Sequence, residues 1–439
     1  MIPGCVGRSL KTALLYFAVA LAFLCAAPAA FALQPLELFV AAAAEQNPDA
    51  LESQANLELQ RAQADLALGR VLPGISARAT FTRNQFDSII DLGQGQTVTV
   101  VPLHQQDAFA TLTVPLIDLA AFGRVKATKT SAKAADQQLF STRLQVEGLV
   151  AQVYYQLVAN LALASAAQKA LEVSQEGLRL AQNRYDAGVA PELDLDRARA
   201  DVEQQNQQVS AAGLQVSLAS RSLLSTSGVA PEASPRPLDD DLHAEQPLAN
   251  LESGVERIPS VVAAAESTRA AEEQLNAQRF TFLPTLAGSF TERATSTPGF
   301  TGHNFSWQAL LALNWAIDLT TPANIHVQDA LSSAARAREL RVRLAAGDAI
   351  HRQWATVTAS IAKSRSARAG RAAATRAANS ARDRYQAGSI TQLELLQAQR
   401  DAFVAEVSRI QADADLVNAR AQLRLATGTS LLAATGKVP

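Results

Sequence analysis

The chain repeats itself at a fixed distance, and no other feature constrains its fold as much. Tyr185–Gly188 reads YDAG and Tyr385–Gly388 reads YQAG, an offset of 200 residues. The same offset pairs Leu193 and Leu195 with Leu393 and Leu395, Asp201 with Asp401, Leu223 with Leu423, and Gly228 with Gly428. It also pairs Ile117-Asp118 with Ile317-Asp318. Farther upstream the offset becomes 211, aligning Pro48 with Pro259 and Leu72–Gly74 with Leu283–Thr285. Self-similarity of this kind marks a duplicated structural unit. The difference in length falls between Pro73 and Ile117, where a surface loop tolerates insertion.

Each copy carries the same order of elements. Helices are expected over Leu36–Arg70 and Leu251–Phe282, stopped by Pro73 and Pro284. Strands follow over Ile75–Asn84 and Asp107–Leu116, and over Thr285–Ala294 and Asn304–Asp318. Their residues alternate apolar and polar, so Phe305, Trp307, Ala309, Leu311, Leu313 and Trp315 share one face. Long helices come next, Ala120–Ala187 and Thr320–Ala387, each reaching roughly 100 Å. In the first, Val146, Val150, Val153, Leu157, Leu161 and Ala164 step by threes and fours like a coiled-coil seam. The return helix Pro191–Thr226 beats in sevens through Leu195, Val202, Val209, Val216 and Leu223. In the second copy the beat falls one place later, at Leu396, Phe403, Ile410 and Val417. The two shorter helices of a copy, stacked end to end, match its long helix and would bury its seam. The expected body is a tube-like helical bundle with strand pairs at one end.

Four amphipathic strands leave open edges. A membrane barrel needs about eight strands at least, so a barrel built from these would be shared between protomers. A small soluble sheet packed on the helices is the other solution. The N-terminus bears on this choice. Arg8 and Lys11, the apolar run Thr12–Cys25 and the small residues Ala30–Ala32 form a secretory signal peptide over 1–32. Cys25 leaves lipidation as an alternative, although Leu24 stands where such signals carry a small residue. Cleavage after Ala32 removes both cysteines, excluding disulfides, thiolate metal sites and a cysteine nucleophile. Loss of Arg8 and Lys11 takes the net charge from −2 to −4, which does not suit a nucleic-acid partner. No later segment approaches the length of apolar run that a transmembrane helix needs.

An exported, duplicated chain with helix, strand pair, long helix, RYxAG and heptad helix in each copy resembles the TolC-like outer-membrane efflux channels. The resemblance covers nearly all of the chain after the signal. It implies a mainly α fold with a β-barrel part. Each protomer gives four strands to a twelve-stranded barrel, and its helices to a periplasmic α-barrel, in a homotrimer. It further implies a passive outer-membrane exit channel of a tripartite efflux or type I secretion system, extending into the periplasm. Its partners are then a periplasmic adaptor (membrane fusion protein), an inner-membrane pump and outer-membrane lipid. The organisation becomes a first repeat over 33–232 with strands near 75–118, a linker over 233–250, a second repeat over 251–430 with strands near 285–318, and a tail over 431–439. Pro115–Asp118, PLID, resembles the family's strand exit, from which the second copy departs with Trp315 and Ala316.

The turns themselves have a plain local reading. Gly188 and Gly388 suit the left-handed position that ends a helix. Arg184 and Arg384 fall in the last turn, where the helix dipole favours cations. Pro191 suits the first turn of the next helix, and Thr391–Glu394, TQLE, is a capping box. In the family such turns form the tip where the adaptor docks, a role that falls on Arg184, Tyr185, Gly188, Arg384, Tyr385 and Gly388. Asp194 and Asp196 read as first-turn acids. The family narrows its entrance with carboxylates after the second turn, so Asp194, Glu394 and Gln397 mark the entrance, with Gln397 where a second carboxylate is expected. Phe305, Trp307 and Trp315 fit a membrane aromatic girdle.

The stretch Arg336–Arg384 is strongly basic, through Arg336, Arg338, Arg341, Arg343, Arg352, Lys363, Arg365, Arg368, Arg371 and Arg376. It lacks interleaved aromatics and reads as a solvated helix face rather than a nucleic-acid surface. The five histidines are scattered without metal-ligand spacing, and no phosphate loop, nucleophile elbow or dinucleotide motif occurs. No enzyme activity, cofactor or metal is expected. A periplasmic coiled-coil adaptor would need a lipoyl-like pair of half-motifs, and none is present. A structural envelope protein would not need the alternating strands.

Overall fold

The computed structural model describes residues 33–435, except 92, 94–96, 233, 235–237, 239 and 317. The expected signal peptide, with Cys5 and Cys25, and the last four residues of the expected tail lie outside the described residues. The first half runs α1 (Leu36–Gln46), α2 (Pro48–Gly69), β1 (Gly74–Arg83), β2 (Ser88–Asp91), β3 (Thr97–Val101), β4 (His104–Ile117), α3 (Leu119–Asp186) and α4 (Glu192–Ser227). The second half runs α5 (Leu248–Glu252), α6 (Pro259–Arg279), β5 (Thr285–Thr295), β6 (Phe305–Asn314), α7 (Thr320–Gln386) and α8 (Gln392–Ala426).

The expected helix over Leu36–Arg70 is two helices. Asn47 is extended (φ −70°, ψ 130°), and its side chain accepts a hydrogen bond from the Asp49 amide as an N-cap. Pro48 then sits in the first turn, where its missing N–H costs nothing. In the second half the break is wider, and α6 begins only at Pro259. Both breaks are joints between stacked half-length helices. The Asn47 side-chain amide donates to the carbonyl of Thr226 at 3.1 Å, in the last turn of α4. Gly228 ends that helix at φ +75°, with Gln46 so close that a Cβ on Gly228 would collide with it. Gly428 ends α8 at φ +82° against Ile258 and Pro259. The same joint is thus written in each half.

Helix α3 is the hub. It packs against α2 and α4 on one side and α6 and α8 on the other, and it buries side chains from Ala120 to Ala181. Val146, Val150, Leu157 and Leu161 are buried as the seam requires, with Phe39, Val40, Tyr154 and Leu223 in the same core. One window of α3 is long and apolar enough by composition to span a membrane, with mean hydropathy 1.3, which the sequence reading overlooked. It belongs to the helix that carries the packed seam, and 44% of it is buried inside the bundle. The equally long α7 packs mainly on α6 and α8, and also on α5 and the segment after it; it buries Ser332, Ile350, Val357, Ser360, Ser364 and Tyr385. One lateral edge of the bundle is therefore α7, and the other is the α2–α4 stack.

The heptad beat of α8 follows the expectation in part. Ile410 is buried, and Leu396, Phe403 and Val417 are half-buried. Leu395, Leu416 and Leu423 are buried as well, at the positions of Leu195, Val216 and Leu223, so the unshifted register is also present. Leu395 and Leu396 are both leucine, and a seven-residue count alone cannot choose between them.

The main sheet has four antiparallel strands in the order β1-β4-β5-β6. Its register sets Ile75, Leu112, Phe290 and Ala309 side by side, and Ala77, Ala110, Glu292 and Trp307 in the next row. One face is thus mainly apolar, built from Ile75, Ala77, Ala79, Phe81, Ala108, Ala110, Leu112, Val114, Leu286, Phe290, Phe305, Trp307, Leu311 and Leu313, with Gln106 and Glu292 among them. The other is mainly polar, carrying Ser76, Arg78, Thr80, Asp107, Thr111, Thr113, Ser289, Thr291, Arg293, Ser306 and Gln308, with Phe109 and Leu310 among them. A bulge between Pro115 and Ile117 closes β4, at the PLID stretch, where a proline cannot donate to the ladder. The loop joining β1 and β4 holds the unexpected β2–β3 ribbon.

Candidate functional site: two helical turns and an open sheet

The long helices end in twin turns. After α3 the Gly188 amide donates to the Tyr185 carbonyl (2.8 Å) and the Val189 amide to the Arg184 carbonyl (3.0 Å). After α7 the Gly388 amide donates to Tyr385 (2.9 Å) and the Ser389 amide to Arg384 (2.9 Å). This paired closure requires a residue at positive φ, and Gly188 and Gly388 supply it at +73° and +77°. The following helices start differently. Thr391 and Glu394 form the expected capping box. Pro191 precedes α4 as an N-cap without a side-chain bond, rather than lying inside its first turn.

The two turns meet through residues that the sequence analysis placed in one list without pairing. The Arg184 guanidinium donates through Nη1 to the Tyr385 carbonyl at 2.7 Å. Its carbon lies 4.8 Å over the centre of the Tyr385 ring, a cation–π geometry. Tyr385 is 2% exposed, whereas Tyr185 is 40% exposed, and Arg384 is exposed as well. Burial raises the pKa of the Tyr385 hydroxyl above its ordinary value; Arg184 opposes the rise and Asp194 adds to it. The Tyr385 hydroxyl, the Gln392 amide and Arg184 Nε are buried without hydrogen-bond partners. Each such group costs about 1–3 kcal/mol relative to a bonded one, so this contact is held less tightly than its burial suggests.

The entrance residues separate by environment. Asp194 is half-buried, with Arg197 at 3.5 Å. Glu394 is exposed and accepts from the Thr391 amide (2.8 Å) and hydroxyl (2.9 Å), which hold its pKa below the ordinary value. Gln397 is exposed. Phe305 and Trp307 are both 71% exposed on the apolar face of β6. Trp315 lies past the end of that strand, its indole donating to the Phe282 carbonyl at 3.0 Å.

Five of the ten basic residues named on α7 pair with carboxylates of neighbouring segments. Arg336 pairs with Glu272 of α6 at 2.7 Å, and Arg343 pairs with Glu256 just before α6. Lys363, Arg368 and Arg371 meet Asp415, Asp413 and Glu406 of α8 at 2.7, 3.0 and 2.8 Å. These charges serve packing between helices. Sequence reasoning missed two further ties. Arg420 of α8 gathers Asp240, the His243 carbonyl and ring, and Glu245, pinning the segment between the halves. Glu147 of α3 accepts from the Ser430 hydroxyl and the Leu431 amide, both at 2.8 Å. The signal was present in each case as a charge at a position whose counterpart in the other copy is small, Ser220 and Gly347. Asp240, Asp241 and His243 converge closely enough to hold a cation, but Arg420 already supplies one.

The chain matches the family model of outer membrane efflux proteins over residues 40–229 and 251–429. It is 28% identical to the probable efflux pump outer membrane protein TtgC of Pseudomonas putida over 267 residues, 59% of this chain and 54% of that protein. That match spans about half the relative's length. With the outer membrane protein OprJ of Pseudomonas aeruginosa it shares 27% identity over 398 residues, 85% of this chain and 80% of the relative. A membrane protein of Pseudomonas aeruginosa, known from its crystal structure, has the same fold with a TM-score of 0.77 at 23% identity, covering 91% of each chain. The chain belongs to the outer membrane efflux protein family, and its place is the outer membrane, with its helices in the periplasm.

Proposed function

We propose that this chain forms, as a homotrimer, the passive exit duct of a tripartite efflux or type I secretion machine. The single observation that carries this reading is the open sheet. Among the described residues edge strands β1 and β6 have no outer neighbour, one face is mainly apolar, and unpaired edges cannot stand in lipid. Three such sheets joined edge to edge give a closed barrel of twelve strands. The same joining brings the α7 edge of one protomer against the α2–α4 edge of the next, so the helices close into a tube below. The halves 33–232 and 251–430, joined by 233–250, act as two equivalent staves of that tube. Phe305 and Trp307 meet lipid at one rim, and Trp315 at the other. The polar face of the sheet lines the water-filled lumen.

The twin turns form the entrance, and Arg184, Tyr185, Gly188, Arg384, Tyr385 and Gly388 present the surface on which a periplasmic adaptor docks and links the duct to an inner-membrane pump. Asp194 and Glu394 place carboxylates at its mouth. The chain itself does no work on the substrate; opening is imposed by the partner. Extraction of membranes and electrophoresis without boiling test the reading. A heat-sensitive trimer in the outer membrane, forming pores in planar bilayers, is expected. A monomer in the soluble periplasmic fraction would overturn it.

A further inference from the structure

The contact of Arg184 on Tyr385 is one half of a repeating pattern. It joins the Arg of a first-copy turn to the Tyr of a second-copy turn. The turns are built alike, hydrogen bond for hydrogen bond. Their leftover members are Arg384, the Arg of the second copy, and Tyr185, the Tyr of the first. Both are exposed. They belong to the two long helices, and α7 is the one that lies at the edge of the bundle.

We propose that Arg384 of one protomer seats on Tyr185 of the next, repeating across the protomer seam the clasp that Arg184 makes on Tyr385 within the chain. The inference rests on the trimer reading above. The operation that carries the first copy onto the second carries the second onto the next protomer's first, so three internal and three seam clasps alternate around the entrance. In each, a guanidinium lies over a tyrosine ring and donates to that residue's carbonyl.

The two kinds of clasp are unequal, because Pro191 stands where the other copy has Thr391. Pro191 offers no capping side chain, and the Asp194 carboxylate pairs with Arg197 at 3.5 Å, while Tyr385 of the internal clasp is already buried, at 2% exposed. Thr391 engages the corresponding Glu394 twice, and Tyr185 and Arg384 are exposed in the single chain. The seam clasps are therefore the weaker set. Opening parts them first, and each internal clasp holds its own two turns together as they move.

Residues after Ala32 contain no cysteine, which allows a direct test in outer membranes. Tyr185→Cys with Arg384→Cys marks the seam, and Arg184→Cys with Tyr385→Cys marks the internal clasp. Treated with a short thiol-to-thiol cross-linker and then boiled, the seam variant is expected to run as covalent dimers and trimers, and the internal variant as a monomer. A seam variant that stays monomeric when boiled, yet trimeric when unboiled, overturns the clasp and leaves the channel intact. Absence of any unboiled trimer in the unmodified chain overturns the channel reading itself. In bilayers, Tyr185→Ala and Arg384→Ala are expected to raise closed-state conductance by the same factor singly and together; effects that multiply would separate the two residues and overturn the pairing. Cross-linking the seam should abolish opening, whereas cross-linking the internal pair should preserve it. Equal loss in both overturns the ranking of the clasps.

Discussion

Asp413 accepts a hydrogen bond from Ser364 across the α7–α8 interface, at 2.5 Å, in the most buried charged site of the helical hairpin. Its carboxylate is 1% exposed and is also held by Arg368 Nε at 3.0 Å and Arg409 Nη1 at 2.8 Å. A buried charge is tolerated only when paired and bonded in this way. Asp413→Ala removes the shared acceptor and strands two guanidinium groups, which still reach solvent in part. The loss should be about 2 kcal/mol, below the range for fully buried pairs. Thermal unfolding followed by helical circular dichroism, compared with exposed Asp415→Ala, checks it; the control should shift far less.

Glu147 makes stability depend on pH. Burial pushes its carboxyl above the ordinary value of 4.5, against the hydrogen bonds from Ser430 and Leu431 that lower it. The folded state therefore holds this proton more tightly than the unfolded state. The resulting stabilisation is fully present below the unfolded value and is lost as pH rises through the raised folded value. Glu147→Gln keeps an acceptor for the Leu431 amide but does not titrate. Urea midpoints of the native chain should fall relative to this variant as pH rises through that window. A constant difference across the window would mean that the carboxyl is not shifted.

Two glycines of the hub helix should respond in opposite ways. A Cβ on Gly123 would lie 2.8 Å from the Ala277 Cβ and 2.9 Å from its Cα, so α3 and α6 approach there as only a glycine allows. Gly123→Ala should cost about 2 kcal/mol through overpacking. Gly177 has nothing within 4 Å of such an atom in its own chain. Gly177→Ala should stabilise by about 0.5–1 kcal/mol from helix propensity alone. Denaturation midpoints of the two variants provide the comparison.

Much of this was legible in the sequence because its signals are local. Alternation located all four main strands to within a few residues. Gly188, Gly388 and the TQLE box marked the turns, since only particular residues satisfy that geometry. What escaped depends on partners distant in sequence. Pro48 can open a helix as readily as it breaks one, so the joint at Asn47 needed the last turn of α4 to define it. The β2–β3 ribbon is short, and Ile89 and Ile90 stand side by side without alternation beside a bulge. The basic run on α7 is exposed as a solvated face should be, apart from half-buried Arg368, but its ties to Glu272, Asp413 and Asp415 depend on helices far away in sequence. At the tip all six residues were named, but nothing local says that Arg184 reaches Tyr385, 201 positions away.

Adjacent leucines of β6 give the sharpest test of which face meets lipid. Leu310 pairs with Ser289 and Leu311 with Gly288, so the two side chains leave the sheet on opposite sides. Leu311 shares its side with Trp307 and Phe290, whose rings stack at 6.0 Å. Leu310 shares its side with Thr291, which bonds Thr111 at 3.1 Å. An arginine on the lipid side near mid-depth of a membrane barrel costs about 2–4 kcal/mol, whereas a lumen position tolerates charge. Leu311→Arg should therefore sharply reduce the yield of heat-sensitive trimer in the outer membrane. Leu310→Arg should assemble normally and shift the ion selectivity of the pore toward anions. Both exposures are similar in the single chain, at 53% for Leu310 and 65% for Leu311, so a solvated sheet would accept either substitution equally. Equal assembly of the two variants would thus count against lipid on the Trp307 face.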